Sequence, residues 1–231
     1  MPRIARPTPG GYAYHVLNRS AARVRLFDAD GDYLAFERIL AQLVPEHPGI
    51  RLLTYCVMPN HWHLLLWPRG DDDLAPFMQR LTLTHTLRWQ KHRQCLGTGH
   101  LYQGRYKSFP IQRDDHFLTV ARYVERNALR ARLVKRAEDW RWSGLWIRRQ
   151  VDGNRRRMLS DWPVHEPHPW LQMVNAPQSQ KEVAAVRESV RSSRPFGADR
   201  WIERTASGLG LTLTRRRRGR PPQSRSSASQ A

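Results

Sequence analysis

Cysteine and lysine are the scarce residues of this 231-residue chain, with two and four copies. Cys56 falls inside an apolar stretch and Cys95 in a loop-like one, a spacing that excludes a disulfide framework and a cysteine-rich zinc site and fits a reducing cytoplasm. No run approaches the roughly 18 apolar residues of a membrane span, and residues 1–6 carry no apolar signal region. A soluble, cytoplasmic protein with no membrane partner is expected. Acidic residues are also few: 20 Asp plus Glu stand against 39 Lys plus Arg, a formal charge of +19. Since only Lys91, Lys107, Lys135 and Lys181 are lysines, the other 35 basic residues are arginine. The planar guanidinium fork pairs with phosphate and stacks on bases, so nucleic acid is the expected partner. A GC-rich genome would account for arginine over lysine, but not for the net charge.

What the chain does have is a pair of histidines, His61 and His63, at the entrance to an apolar run. Side chains alternate faces along a strand, so the two imidazoles project to one side with Leu65, while Trp62, Leu64 and Leu66 project to the other. Pro59-Asn60 is a turn signal just before them, so residues 52–58 and 61–67 read as a hairpin with the histidines at its mouth. Two adjacent imidazoles are half of a transition-metal site; they are equally what a polar sheet edge looks like.

Around the hairpin, residues 12–18 alternate as a strand, and 32–44 and 74–92 carry apolar residues at helical spacing. Residues 102–111 read as a short strand or loop pair, and Asp114 or Asp115 can cap a third helix reaching about Arg130. This order predicts an α+β, ferredoxin/RRM-like antiparallel sheet with helices packed on one face. Residues 1–150 form the expected catalytic domain. Residues 151–214, with Pro163, Pro167, Pro169 and Pro177, read as an irregular extension with polar helices over 181–194 and 199–209. Residues 215–231 form a basic tail, partly disordered on compositional grounds.

On the third helix Phe117, Val120, Ala121, Val124 and Ala128 make the buried stripe, and Tyr123 and Asn127 lie one turn apart at its margin. A tyrosine beside a carboxamide can serve as nucleophile and metal ligand together; alone, a tyrosine there is an ordinary packing residue.

Four blocks carry a recognisable pattern: residues 55–65 around the histidine pair, 99–108 (Gly-His-Leu-Tyr-Gln-Gly-Arg-Tyr-Lys-Ser), 123–131 (Tyr-Val-Glu-Arg-Asn-Ala-Leu-Arg-Ala) and 138–143 (Glu-Asp-Trp-Arg-Trp-Ser). In this order they resemble the REP-associated tyrosine transposases, bacterial relatives of the IS200/IS605 transposases in the superfamily of His-hydrophobic-His single-stranded DNA endonucleases. Residues 195–201, 209–211 and 218–221 resemble that family's C-terminal end. The resemblance implies that Tyr123 is the nucleophile, that His61, His63 and Asn127 bind Mg²⁺ or Mn²⁺, and that the substrate is single-stranded or hairpin DNA carrying REP palindromes. Arg105, Lys107, Arg122 and Arg126 are the expected DNA contacts, with Arg218 and Arg220 as a minor-groove hook in the tail. Tyr106 and Tyr102 rank behind Tyr123, and His116 is the one candidate for its base.

Two departures from the family pattern stand out. Asn127-Ala128-Leu129 replaces Asn-Pro-Val, and Arg132 replaces a glycine. The implied function is a divalent-metal-dependent endonuclease and strand transferase working through a 5′-phosphotyrosine, as monomer or homodimer, at the bacterial nucleoid. A rolling-circle replication initiator or relaxase, and a non-catalytic nucleic-acid-binding protein on the same scaffold, are the alternatives.

Overall fold

A computed structural model describes residues 7–150 and 156–211. The basic tail, including Arg218 and Arg220, lies outside the described residues. Four strands form one antiparallel sheet: β1 (Ala13–Arg19), β2 (Ile50–Met58), β3 (His61–Pro68) and β4 (Lys107–Ile111), in the order β2-β3-β1-β4. Helix α1 (Asp30–Glu46) links β1 to β2, and α2 (Leu74–His92) links β3 to β4, which gives the expected ferredoxin-like path.

Period-two alternation decides which face each strand residue serves. Tyr14, Val16, Leu52, Trp62, Leu64 and Leu66 point to α1 and α2, where Phe36, Ile39, Leu40, Phe77, Met78 and Leu81 complete the first core. The helices end where the chain chemistry dictates. Asp32 accepts from the backbone N–H groups of Asp28 and Ala29 at the start of α1, and Asp73 accepts from Gly70 N at the start of α2.

The sheet's other face is covered too, which adds to the expected one-face packing. Helices α3 (Asp115–Glu125) and α4 (Asn127–Arg130) cross it. Leu53, Cys56, Leu65, Phe109, Phe117, Val120 and Val124 form a second core there. Asp114 caps α3 by accepting from His116 N at 2.9 Å. The expected single helix to Arg130 is broken at Arg126, whose φ of −81° and ψ of −3° lie at the edge of helical geometry. The short turn that follows closes at Arg132, where φ is +59°. Leu133 N reaches back to Ala128 O and Arg132 N to Leu129 O, a Schellman turn of the kind that favours glycine.

Beyond α5 (Gly144–Arg149), the chain does not stay extended. The helices α6 (Trp170–Asn175), α7 (Gln180–Ser192) and α8 (Asp199–Gly208) follow. Trp170, Val174 and Val186 bury themselves in the second core. The outer edge of β4 carries Pro110, which lacks an N–H, and is covered by Phe196: Phe196 N donates to Pro110 O and Gln112 N to Phe196 O, both at 2.9 Å. A proline-rich stretch thus forms a short helix because its apolar residues have a sheet to bury against.

Candidate active site

The two-residue turn Pro59-Asn60 joins β2 to β3 and sets Met58 opposite His61 and Cys56 opposite His63. His61 is half-buried and His63 buried. Their ring centroids are 5.0 Å apart, with planes at 81°. His61 Nδ1–H donates to Asn60 Oδ1 at 2.6 Å, so its Nε2 keeps the lone pair.

Behind the pair stands a histidine that spacing did not reveal. His15, on β1, is fully buried, lies nearly coplanar with His63, with 5.0 Å between centroids and 7° between planes, and places Nε2 2.8 Å from His63 Nδ1. Among the described residues its Nδ1 has no partner. A buried polar atom left so costs about 1–3 kcal/mol, which marks the position as constrained. Burial, with the charges of Arg19 and Arg130 added, keeps this group of imidazoles neutral. His15 is pushed down to about 3, by burial and then Arg130, and His61 to about 4, by burial and then Arg19 and Arg130. His63 falls well below its usual value through burial and its histidine neighbours.

Helix α3 brings Tyr123 to this cluster. Its ring centroid lies 6.0 Å from that of His63 and 6.2 Å from that of His15, near perpendicular to both. Asn127, one turn on, is buried; its Oδ1 accepts from Arg130 Nη2, and its Nδ2 has no partner among the described residues. Arg130, the second residue that sequence reasoning missed, places Cζ 4.1 Å from the Tyr123 ring centroid. The structure thus sets Tyr123 against His63, His63 beside His61, and joins Asn127 to Tyr123 through Arg130.

Helix α3 is pinned from both sides. Glu125 is fully buried, accepting from Thr54 Oγ1 at 2.7 Å and from Trp170 Nε1 at 2.8 Å. Burial pushes its carboxyl up to about 7. Gly144 sits so close to Thr54 that a Cβ there would run into Thr54 Oγ1.

A divalent cation needs neutral imidazoles and oxygen donors. Among the described residues there is no cluster of three His, Cys, Asp or Glu side chains arranged for a metal. His61 Nε2 presents a lone pair, whereas the free atom of Asn127 is the donor Nδ2 and its Oδ1 is engaged by Arg130, so that oxygen could meet a cation only after Arg130 releases it.

The other expected residues divide. Arg105 and Lys107 are exposed, and Lys107 opens β4 opposite Leu17, on the sheet face that carries the histidines. Arg122 and Arg126 are committed elsewhere: Arg122 donates to the carbonyls of Ala176 and Pro177, and Arg126 to those of Val174 and Asn175, at the C-terminal end of α6. Tyr102 is buried, accepting from Trp62 Nε1 and bonded to His85, a core polar network rather than a nucleophile. His116 Nδ1 pairs with Asp114 at the start of α3, two turns before Tyr123. A cavity of about 520 Å³ bounded by Asp28, Asp32, His85, Trp89 and Arg93 lies against α1 and α2, away from Tyr123.

Fold and site together define an α+β protein with a tyrosine helix laid across a histidine-bearing antiparallel sheet. The match to the family described as "Transposase IS200 like" spans residues 10–127, and the chain belongs to that family. Among solved structures, a REP-associated tyrosine transposase bound to a REP hairpin is similar at 21% identity and a TM-score of 0.50, over 62% of this chain and 82% of that one. A candidate transposase from Deinococcus radiodurans is similar at 20% identity and a TM-score of 0.38, over 50% of this chain and 93% of that one. A comparison with curated proteins finds no significant match.

Proposed function

We propose that the protein cleaves and rejoins single-stranded or hairpin DNA through Tyr123, with Mg²⁺ or Mn²⁺ as cofactor and REP-type palindromes as the target. The observation that carries this reading is the Tyr123 ring held between His63 and the Arg130 guanidinium. Family membership and the hairpin bound by the similar transposase support the choice of reaction and substrate.

Tyr123 Oη forms a bond to phosphorus as the P–O3′ bond breaks. The phenol loses its proton, and the 3′-oxygen leaves and is protonated to a hydroxyl. The 5′ end stays on the tyrosine until another 3′-hydroxyl attacks, restores a diester and releases the phenol, so no water is consumed. Held by His61, His63 and Asn127, the cation would supply Lewis acidity toward a non-bridging phosphate oxygen. Burial keeps the imidazoles uncharged and hence able to donate lone pairs. Arg19, paired with His61 across β1 and β3, and Arg130 add positive charge that attracts the phosphate.

Arg105 and Lys107 follow the strand away from the site. Arg122 and Arg126 act on DNA only through what their carbonyl partners leave free. In the tail, Arg218 and Arg220 enter a minor groove of the hairpin stem. The catalytic domain over residues 1–150 takes Trp170, Val174 and Val186 of the extension into its second core, and the chain acts at the nucleoid; no described helix is long and apolar enough to cross a membrane.

The test is a labelled REP hairpin incubated with the full chain and Mg²⁺ or Mn²⁺, resolved on a denaturing gel. The wild type is expected to form a covalent protein–DNA adduct and Tyr123→Phe none. An adduct in Tyr123→Phe, or none in the wild type, overturns the proposal.

A further inference from the structure

We propose that His15 is a positioning residue for the metal site: it accepts the Nδ1 proton of His63 and thereby fixes that ring and its tautomer, leaving the lone pair on Nε2. This rests on the reading of His61 and His63 as metal ligands.

The argument is one of proton counting. A neutral imidazole has one N–H and one lone pair, and a ligand nitrogen must present the lone pair. The 2.8 Å contact between His63 Nδ1 and His15 Nε2 admits one proton. If His15 donates it, His63 carries its own hydrogen on Nε2 and cannot bind a cation there. If His63 donates it, Nε2 is free, and the hydrogen of His15 sits on Nδ1. That Nδ1 is buried and has no partner among the described residues, so the contact with His63 is the hydrogen bond His15 makes there.

Geometry restrains the ring as well. His15 lies opposite Leu65 on β1 and so meets His63 diagonally across the sheet. The in-plane contact with His63 and the T-shaped contact with Phe109 at 5.0 Å leave the His15 ring little freedom to turn. His61 receives the same service from Asn60, whose Oδ1 takes its Nδ1 proton. Both histidines of the pair thus have an acceptor behind them, the arrangement by which ligand imidazoles are held and made more basic.

The test compares the full-length wild type with His15→Phe, which keeps a ring but no acceptor, and His15→Gln, whose amide oxygen can accept. Mn²⁺ binding is measured without DNA by electron paramagnetic resonance of the free ion. His15→Phe is expected to bind Mn²⁺ about 10–100-fold more weakly, with most of the affinity restored in His15→Gln. Nitrogen-15 NMR of the wild type is expected to show the His63 hydrogen on Nδ1. A His63 hydrogen on Nε2, or wild-type Mn²⁺ affinity in a folded His15→Phe, overturns the role of His15. Should His15→Phe not fold, the wild-type NMR spectrum decides. If the wild type and His61→Ala alike bind no Mn²⁺, the metal-ligand reading itself fails, a different result from Mn²⁺ binding that needs His61 but not His15.

Discussion

The Arg130 guanidinium lies over the ring of Tyr123, with Cζ 4.1 Å from the centroid, and its Nη2 donates to Asn127 Oδ1. One guanidinium thus touches both the tyrosine ring and the carboxamide. An arginine over a phenol ring is worth about 0.5–2 kcal/mol, enough to hold the ring in one orientation. Arg130→Ala is expected to slow adduct formation roughly tenfold in single turnover, since about 1.4 kcal/mol corresponds to that factor. Mn²⁺ binding should move the other way, tightening several-fold, because the substitution removes a competing positive charge and frees Asn127 Oδ1. Weaker Mn²⁺ binding would show that Arg130 instead organises the ligand set.

Arg132 occupies a left-handed turn with φ of +59°. For a residue with a Cβ this conformation costs about 1 kcal/mol, which glycine avoids. Arg132→Gly is expected to raise the melting temperature by about 2–4 °C and leave adduct formation unchanged. A lower melting temperature in calorimetry would mean that the arginine side chain contributes more than the turn costs.

Glu125 gives a pH dependence whose direction can be fixed. Its carboxyl is near 4.5 when unfolded and is pushed up to about 7 by burial. Below 4.5 it is protonated in both states. Between 4.5 and about 7 the unfolded chain loses the proton first, so this group's contribution to stability falls as pH rises and stays low above 7. Glu125→Gln has no such proton, and its stability relative to wild type is expected to improve by about 1–3 kcal/mol between pH 5 and 8. A difference that stays constant between the two pH values in denaturant melts would rule this account out.

The arginines make opposite predictions according to their partners. Arg122→Ala and Arg126→Ala each remove two bonds to the end carbonyls of α6 and should destabilise the chain by about 1–2 kcal/mol with little change in DNA affinity. Arg105→Ala should leave melting untouched, and Arg105→Ala and Lys107→Ala should each weaken single-strand binding and lower its salt slope by about 0.7. A reversed pattern in salt titrations would return Arg122 and Arg126 to the DNA surface.

Much of this was legible in the sequence. Period-two alternation placed His61 and His63 on one face, and helical spacing gave 74–92 as a helix, observed at Leu74–His92. The Tyr123–Asn127 spacing put both at one margin of the expected helix, whereas the structure breaks it at Arg126 and starts α4 with Asn127. His15 and Arg130 were not legible. A lone histidine in an apolar strand looks like any core residue, and its meaning depends on which strand pairs beside it. Arg130 follows a helix break at Arg126, so no fixed helical phase connects it to Tyr123. The helix at Trp170–Asn175 was obscured because its stability comes from the sheet face it covers rather than from its proline-rich surroundings.

Trp170 donates to the carboxylate of Glu125, two residues from Tyr123. Residue 150 is therefore no natural place to shorten the chain, whatever the composition there indicates. A fragment ending at that point would keep Tyr123, His61, His63 and Asn127 yet lose one wall of the second core, leaving Glu125 with the Thr54 hydrogen bond and the tyrosine helix free to shift. Shortened or proteolysed forms of this protein should bind DNA by charge while failing to cut it.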